Sequence, residues 1–259
     1  MQGLYAVYRK ELSHYFVSPV AYVVVGVFVG FCALVFNYSV GAAVQQSMQA
    51  QMQGMSSPMD LPGEVLQGYF MFLATMLLFV TPMLTMGVYA EERKRGTMEL
   101  LMTSPVTEVQ IVLGKFLGAF SMFLTMLLPT LVPVIFLYFT SDPHFPVKLV
   151  AADYLGAALM GGALLALGTF ISSLTENQLI AAVLTFGVFL IIWIIDIIIP
   201  SGSSATVTTV MGYFSVVRHF QDFDRGVIDT SGLIYFASLI AFFVFLTVRS
   251  VDSMRWRRA

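Results

Sequence analysis

The chain has 259 residues, 58% of them hydrophobic and 11% charged, with a formal net charge of −2 and a mean hydropathy of +0.84. Soluble domains carry about 25% charged residues, so this composition excludes an ordinary soluble domain. The apolar runs are continuous rather than alternating, which excludes a β-barrel as well.

In chain order, residues 2–18 come first. Placed on a helical wheel, Leu4, Tyr5, Val7, Tyr8, Leu12, Tyr15 and Phe16 share one side, and Arg9, Lys10, Ser13 and His14 share the other. The pattern predicts an amphipathic elbow helix lying in the membrane interface. Glu11 falls inside the apolar arc. It either snorkels at the edge of the arc or pairs with a basic residue of the loop that follows the second span.

Six apolar runs, about 19–40, 66–89, 112–139, 151–172, 178–199 and 231–249, reach the roughly 20 residues that a bilayer-crossing helix needs. Lipid offers no partner to unpaired backbone groups. The expected fold is therefore all-α, a polytopic membrane protein with six transmembrane helices. The first run lacks a small-residue cleavage site and is expected to be a retained span. It holds the chain's one cysteine, Cys32, which has no intrachain disulfide partner. With a cytoplasmic N-terminus, that side receives Arg9, Lys10, Arg93, Lys94, Arg95, Lys115, Arg249, Arg255, Arg257 and Arg258. The other side receives Lys148, Arg218 and Arg225. This bias places both termini in the cytoplasm.

The first span carries Gly26-x-x-x-Gly30, a close-packing pattern for a neighbouring helix or a second chain. The segment 41–66 has no lysine or arginine, and Met48, Met52, Met55 and Met59 recur in it at helical spacing. Thioethers are soft ligands for Cu(I), but no His or Cys accompanies the row, and an apolar helix face is the simpler reading.

The second span contains Pro82 and runs into EERKRGTMELLMTSP, residues 91–105. Glu91, Glu92, Arg93, Lys94, Arg95 and Glu99 concentrate charge in this stretch. The span is expected to leave the membrane as a helix through 91–95 and to break at Gly96, a residue free to adopt unusual backbone angles. Thr97 is expected to cap a short helix over 98–103 that ends before Pro105, with Glu99 favourably placed near its N-terminus. Thr107 and Gln110 fit a capping box, and Val106 with Ile111 a hydrophobic staple, restarting the third span. The coupling segment 91–107 thus reads as a short crosswise helix able to pass a partner's movement to two spans. A basic loop that only fixes topology would explain the arginines, but not the punctuation by Gly96, Pro105 and Thr107.

Pro129 and Pro133 should break the third span in its outer half. The fourth span is lined with small residues, Gly161 and Gly162 among them, and should pack tightly. The polar turn after it carries Glu176. Asp196 closes the fifth span near Pro200, as an interfacial residue or as a buried partner of Arg218 or Arg225. In the outer segment 213–227, Val217, Phe220, Phe223 and Val227 form an apolar stripe, with Arg218 and Arg225 off it and Gly226 at the end. This predicts a helix along the outer surface, serving as lid, docking site or anchor.

No phosphate-binding GxxxxGK[ST] loop is present, and neither H-E-x-x-H nor G-x-S-x-G occurs. His14, His144 and His219 lie outside the spans, away from any nucleophile within them. The span centres lack ionisable residues, which argues against ion-coupled transport. The chain is expected to be no enzyme by itself, without catalytic, cofactor or metal residues, and driven by a partner.

EERKRGTMELLMTSPVTEVQIVLGKF resembles the first cytoplasmic loop of ABC-2 type transporter permeases. RKELSHYFVSPVAYVV resembles the elbow helix and first span of the same family. HFQDFDRGVIDTSGLIYFASLIAFFVFLTVRSVDSMRWRR is similar to the gliding-motility-type ABC permease subgroup. The resemblance implies one ABC-2 type transmembrane domain over 1–259 in a bacterial inner membrane. It implies a second permease chain, in a homodimer or heterodimer, and two copies of a separate cytoplasmic ATPase that hold ATP and Mg. The residues expected to couple to that ATPase are Arg9, Lys10, Glu11, Glu92, Arg93, Arg95, Gly96, Thr97, Glu99, Leu100, Thr103, Pro105 and Glu176. The expected function is the permease subunit of an exporter, surrounded by membrane lipid and without a nucleic-acid partner. The alternative is ATP-driven force transmission to a periplasmic accessory protein docked at 201–230, with nothing crossing the membrane. Nothing in the chain names a substrate.

Overall fold

Helices are the only regular elements among the described residues, which in this computed structural model are 2–52, 61–141, 145–198, 212–213 and 215–256. They are α1 (Gln2–Val17), α2 (Pro19–Met52), α3 (Leu61–Thr85), α4 (Ala90–Lys94), α5 (Thr97–Met102), α6 (Glu108–Leu127), α7 (Leu131–Thr140), α8 (Val147–Leu174), α9 (Gln178–Ile198), α10 (Val216–Asp224) and α11 (Thr230–Trp256). Five stretches are long and apolar enough to cross a membrane: Pro19–Met52, Leu61–Lys94, Glu108–Thr140, Val147–Leu174 and Thr230–Met254. The shorter apolar stretch Gln178–Ile194 is the start of α9. The chain is an all-α, multi-pass membrane protein.

α2 runs for 34 residues, about 51 Å at the helical rise, well beyond a hydrocarbon core of about 30 Å. The helix therefore continues past the predicted end at 40, and carries Met48 and Met52 exposed on its extension. Met55 and Met59 lie outside the described residues.

α8 is the axis of the bundle. The small residues read from its sequence are the places where its neighbours come close. A Cβ at Gly161 would lie 2.2 Å from the Phe123 ring of α6, one at Gly156 would lie 2.8 Å from Phe223 of α10, and one at Gly168 would lie 2.3 Å from Thr85 Oγ1 of α3. Gly162 faces Ile240 of α11 and Phe120 of α6. Such glycines let backbones approach and gain contact over the full helix length, which drives association where lipid removes the hydrophobic effect. Gly26 and Gly30 differ. Both are exposed on α2, with nothing within 4 Å of an added Cβ. They pack no helix among the described residues, so this part of the packing expectation does not hold within the described part of the chain.

The third span breaks at the predicted prolines. α6 ends at Leu127, a 3₁₀ turn occupies Leu128–Thr130, and α7 resumes the path. Tyr69 of α3 donates to the Thr130 carbonyl at 3.1 Å at this break.

The predicted outer helix exists as α10, and Gly226 follows its end at φ 73°. Its apolar stripe turns inward, however. Val217, Phe220 and Phe223 are buried, with Phe223 between Gly156 and Gly232, while Val227 is exposed. The aromatics belong to the core of the bundle. They do not form an open docking surface: Phe223 packs onto Gly156 of α8 and Gly232 of α11, and Phe220 is 1% exposed.

Candidate functional site

The charged stretch folds at the end of the bundle where α1, α4, α5 and the last turns of α8 and α11 meet. α3 ends at Thr85, residues 86–89 form a turn, and the chain then leaves as a helix, α4, close to the expected 91–95. The turn is braced from α8. Ser172 Oγ accepts from the Tyr89 and Ala90 amides at 3.2 and 3.3 Å and donates to the Met86 carbonyl at 3.1 Å. One buried hydroxyl thus satisfies backbone groups that the helix break leaves unpaired.

Gly96 then reverses the chain at φ 70°, in the left-handed region. It occupies the N-cap of α5 itself. Thr97 is the first helical residue rather than the cap, and its hydroxyl reaches back to the Glu92 carbonyl at 3.4 Å. A glycine at the cap supplies the backbone angles that a threonine there would resist. Glu99 sits in the first turn of α5. Met98 is buried with Val88, Tyr89, Val112 and Val251, anchoring α5 to three other parts of the chain. Leu100 is 73% exposed. After Thr103 and Pro105, Thr107 and Gln110 form both halves of the predicted capping box.

The seam behind this hinge is the main structural finding. α1 lies on α6 at Gly114 and Gly118, where an added Cβ would stand 2.9 Å from Val7 and 2.7 Å from Glu11. Between these glycines, Lys115 is 1% exposed. Its Nζ donates to Glu11 Oε1 at 2.7 Å and to the Val88 carbonyl at 2.8 Å. It also lies 3.0 Å from Glu92 Oε2, as an ion pair outside hydrogen-bond geometry, and 5.2 Å from the centroid of the Tyr89 ring. Glu92 Oε1 in turn accepts from Lys10 at 2.7 Å. Burial by itself lowers the pKa of Lys10, but its hydrogen bond to Glu92 and the charges of Glu92 and Glu11 outweigh that, leaving it raised. Two lysines and two glutamates thereby tie the elbow helix to α4 and α6. Glu11 does not snorkel; it pairs with a base, one that lies in α6 beyond the loop.

Other predicted residues gather at the same end. Arg93 donates to the Ser173 carbonyl and to Glu176, both at 2.9 Å. Arg95 pairs with Glu91 one turn earlier. Arg9 is exposed on α1. A cavity of about 410 Å³ opens here, with Gly96, Met98 and Glu99 on one wall and Ser173, Glu176 and Ser250 opposite. Lys115, Gly114, Gly118 and Ser172 were absent from the predicted set. The signal for the first three lies in the sequence: a lysine inside an apolar run, flanked by glycines four apart.

At the opposite end of α8, Asp153 is fully buried, and neither of its carboxylate oxygens has a partner among the described residues. Burial pushes the Asp224 carboxyl of α10 up to about 6, with Arg225 opposing. Arg218 and Arg225 are exposed. The side chain of Asp196 lies outside the described residues. Among the described residues, no group of three or more His, Cys, Asp or Glu side chains is arranged to hold a metal.

A search among curated proteins found no match. The family model described as ABC-2 family transporter protein matches residues 5–247, nearly the whole chain, from within the elbow through the seam and into the last span. This chain therefore belongs to the ABC-2 family of transporter proteins, as a membrane-spanning permease of the kind that works with an ABC ATPase subunit.

Proposed function

We propose that this permease couples ATP hydrolysis by a separate ATPase to export across the bacterial inner membrane, with both termini in the cytoplasm. In this reading two ATPase copies hold the ATP and Mg, and a second permease chain completes the pathway. The gliding-motility-type subgroup remains part of the proposal through the likeness of its C-terminal segment. The observation that carries the reading is the Lys115 seam. A push on α5 is held between Gly96 and Pro105 and passes through Met98 into the α3–α4 turn and α6. The buried ion pairs extend it to α1. A mobile surface loop would absorb such a push; this one is tied to three helices. The cavity beside Glu99 is the socket for an ATPase side chain or loop, and Arg93 and Glu176 form its rim. The exposed Gly26 and Gly30 face of α2 is available to a second chain.

Gly96→Val and Glu99→Lys test the reading. Both should leave the membrane-inserted chain intact and reduce the ATPase that co-purifies with it. Wild-type recovery of a fully active ATPase with both variants would refute the coupling role of this segment.

A further inference from the structure

A second cavity, of about 620 Å³, lies on the other side of the seam, between α1, α2 and the end of α3. This size falls within the range of small-ligand sites. Its two ends differ in chemistry. Val20, Ala21 and Val24 of α2 and Met83 and Leu84 of α3 make an apolar wall, while Lys10, His14 and Arg95 stand at the mouth. Val17 and Val20 are largely exposed, so the apolar part opens sideways rather than into a closed core.

The mouth is electrically lopsided. The carboxylates are drawn inward: the side chains of Glu11 and Glu92 are 8% and 14% exposed. The third carboxylate of the lining, Glu91, is 23% exposed and pairs with Arg95, which is 69% exposed. Lys10, the partner of Glu92, is 58% exposed, so at each mouth pair the cation stands further out than its carboxylate. His14 is exposed beside them. A molecule arriving from outside therefore meets positive charge first and an apolar trough behind it. Basic pockets between membrane helices select anionic headgroups. A second copy of this chain docking here through a two-fold axis would bring the same Lys10 and Arg95 patch from both chains into one interface, adding positive charge to positive charge.

We propose that this cavity binds one anionic phospholipid, taken laterally from the leaflet at the basic end of the bundle. Its headgroup phosphate sits at Lys10, His14 and Arg95, and an acyl chain lies along Val20, Ala21, Val24 and Met83. The proposal takes from the functional reading only that α1 lies at the membrane interface. Because Lys10 is on α1 and Arg95 ends α4, the bound phosphate bridges the elbow to the hinge before Gly96.

The test is native mass spectrometry of the purified full chain. It is titrated with phosphatidylglycerol and, separately, with phosphatidylcholine of the same acyl chains. The wild type should retain one phosphatidylglycerol with at least a tenfold preference. Ala21→Phe, which fills the apolar wall, and His14→Glu, at an exposed position, should each weaken retention fivefold or more. If Ala21→Phe fails to fold, His14→Glu carries the same expectation. Equal retention of the two lipids, or unchanged retention by a folded variant, overturns the site. So does efficient crosslinking between two chains through Val20→Cys in a Cys32→Ser background, which would show a second copy covering the trough. Co-purified ATPase, measured on the same wild-type preparations, separates the two ideas. Lipid selectivity without a recruited ATPase refutes only the functional reading, and a recruited ATPase without lipid selectivity refutes only the lipid site.

Discussion

Lys115→Met removes the cation at the centre of the seam and keeps most of its volume. The lost contacts are Glu11 at 2.7 Å, the Val88 carbonyl at 2.8 Å and Glu92 at 3.0 Å. Glu92 keeps Lys10, so the orphaned charge is Glu11, which is 6% exposed. Removing one partner of a buried ion pair costs about 3–5 kcal/mol. For a chain of this size each kcal/mol lowers the melting temperature by about 2–4 °C, so the single variant should melt roughly 6–20 °C lower. Adding Glu11→Met should restore more than half of the loss, because replacing both members of a buried pair is often nearly neutral. The expected recovery is about 2–3 kcal/mol, the remaining loss being that of the unpaired Val88 carbonyl. The chain supplies its own probe: Cys32 is its one cysteine and is 1% exposed. A thiol-reactive fluorogenic dye therefore reports unfolding in detergent. A single-variant loss below about 1 kcal/mol, or a double variant as unstable as the sum of the singles, would refute the seam as a structural tie.

Gly118→Val should also destabilise, by about 1–3 kcal/mol, because its Cβ would meet that of Glu11 at 2.7 Å; the same dye assay reads it, and an unchanged melt would show that α1 is not held against α6. Asp224 carries a pH signature. Its folded carboxyl sits at about 6 against an ordinary 3.8, so the folded chain holds a proton that the unfolded chain has released. Its contribution to stability is full below about pH 4 and is lost as pH rises through about 6. Asp224→Asn should flatten melting temperature over that window and stabilise the chain above it, and an unchanged pH profile would contradict the burial argument. Asp153→Asn should melt no lower than wild type at pH 7, since it removes a buried carboxylate without a described partner; a clear loss would mean that the carboxylate has a partner.

The parts of this structure that were legible in the sequence are those fixed by local chemistry. The continuous apolar runs mark helices because lipid leaves no other way to satisfy backbone groups. Thr107 and Gln110 mark a helix start because each side chain reaches the other's amide. Gly96 marks a reversal because its φ suits few other residues. The misses come from contacts distant in sequence. Glu11 and Lys115 are 104 positions apart, and a helical wheel shows that Glu11 faces inward without showing what waits there. Gly26-x-x-x-Gly30 and Gly114-x-x-x-Gly118 look alike as patterns, yet only the second meets a helix among the described residues. In the same way, the stripe of α10 reveals an apolar face but not whether lipid, a partner or α8 covers it. The extension of α2 to Met52 was missed for a local reason: Gln, Met and Ser are polar or flexible enough to suggest a loop, yet none of them stops a helix.

The coupling reading is tested most directly at Leu100, which is exposed on α5. A photo-crosslinking amino acid placed there, in cells, should capture an ABC ATPase subunit, and the capture should fall sharply when Gly96→Val is added. Capture of lipid alone, or of an ATPase just as efficiently from a probe at Arg218 on α10, at the other end of the bundle, would contradict the account.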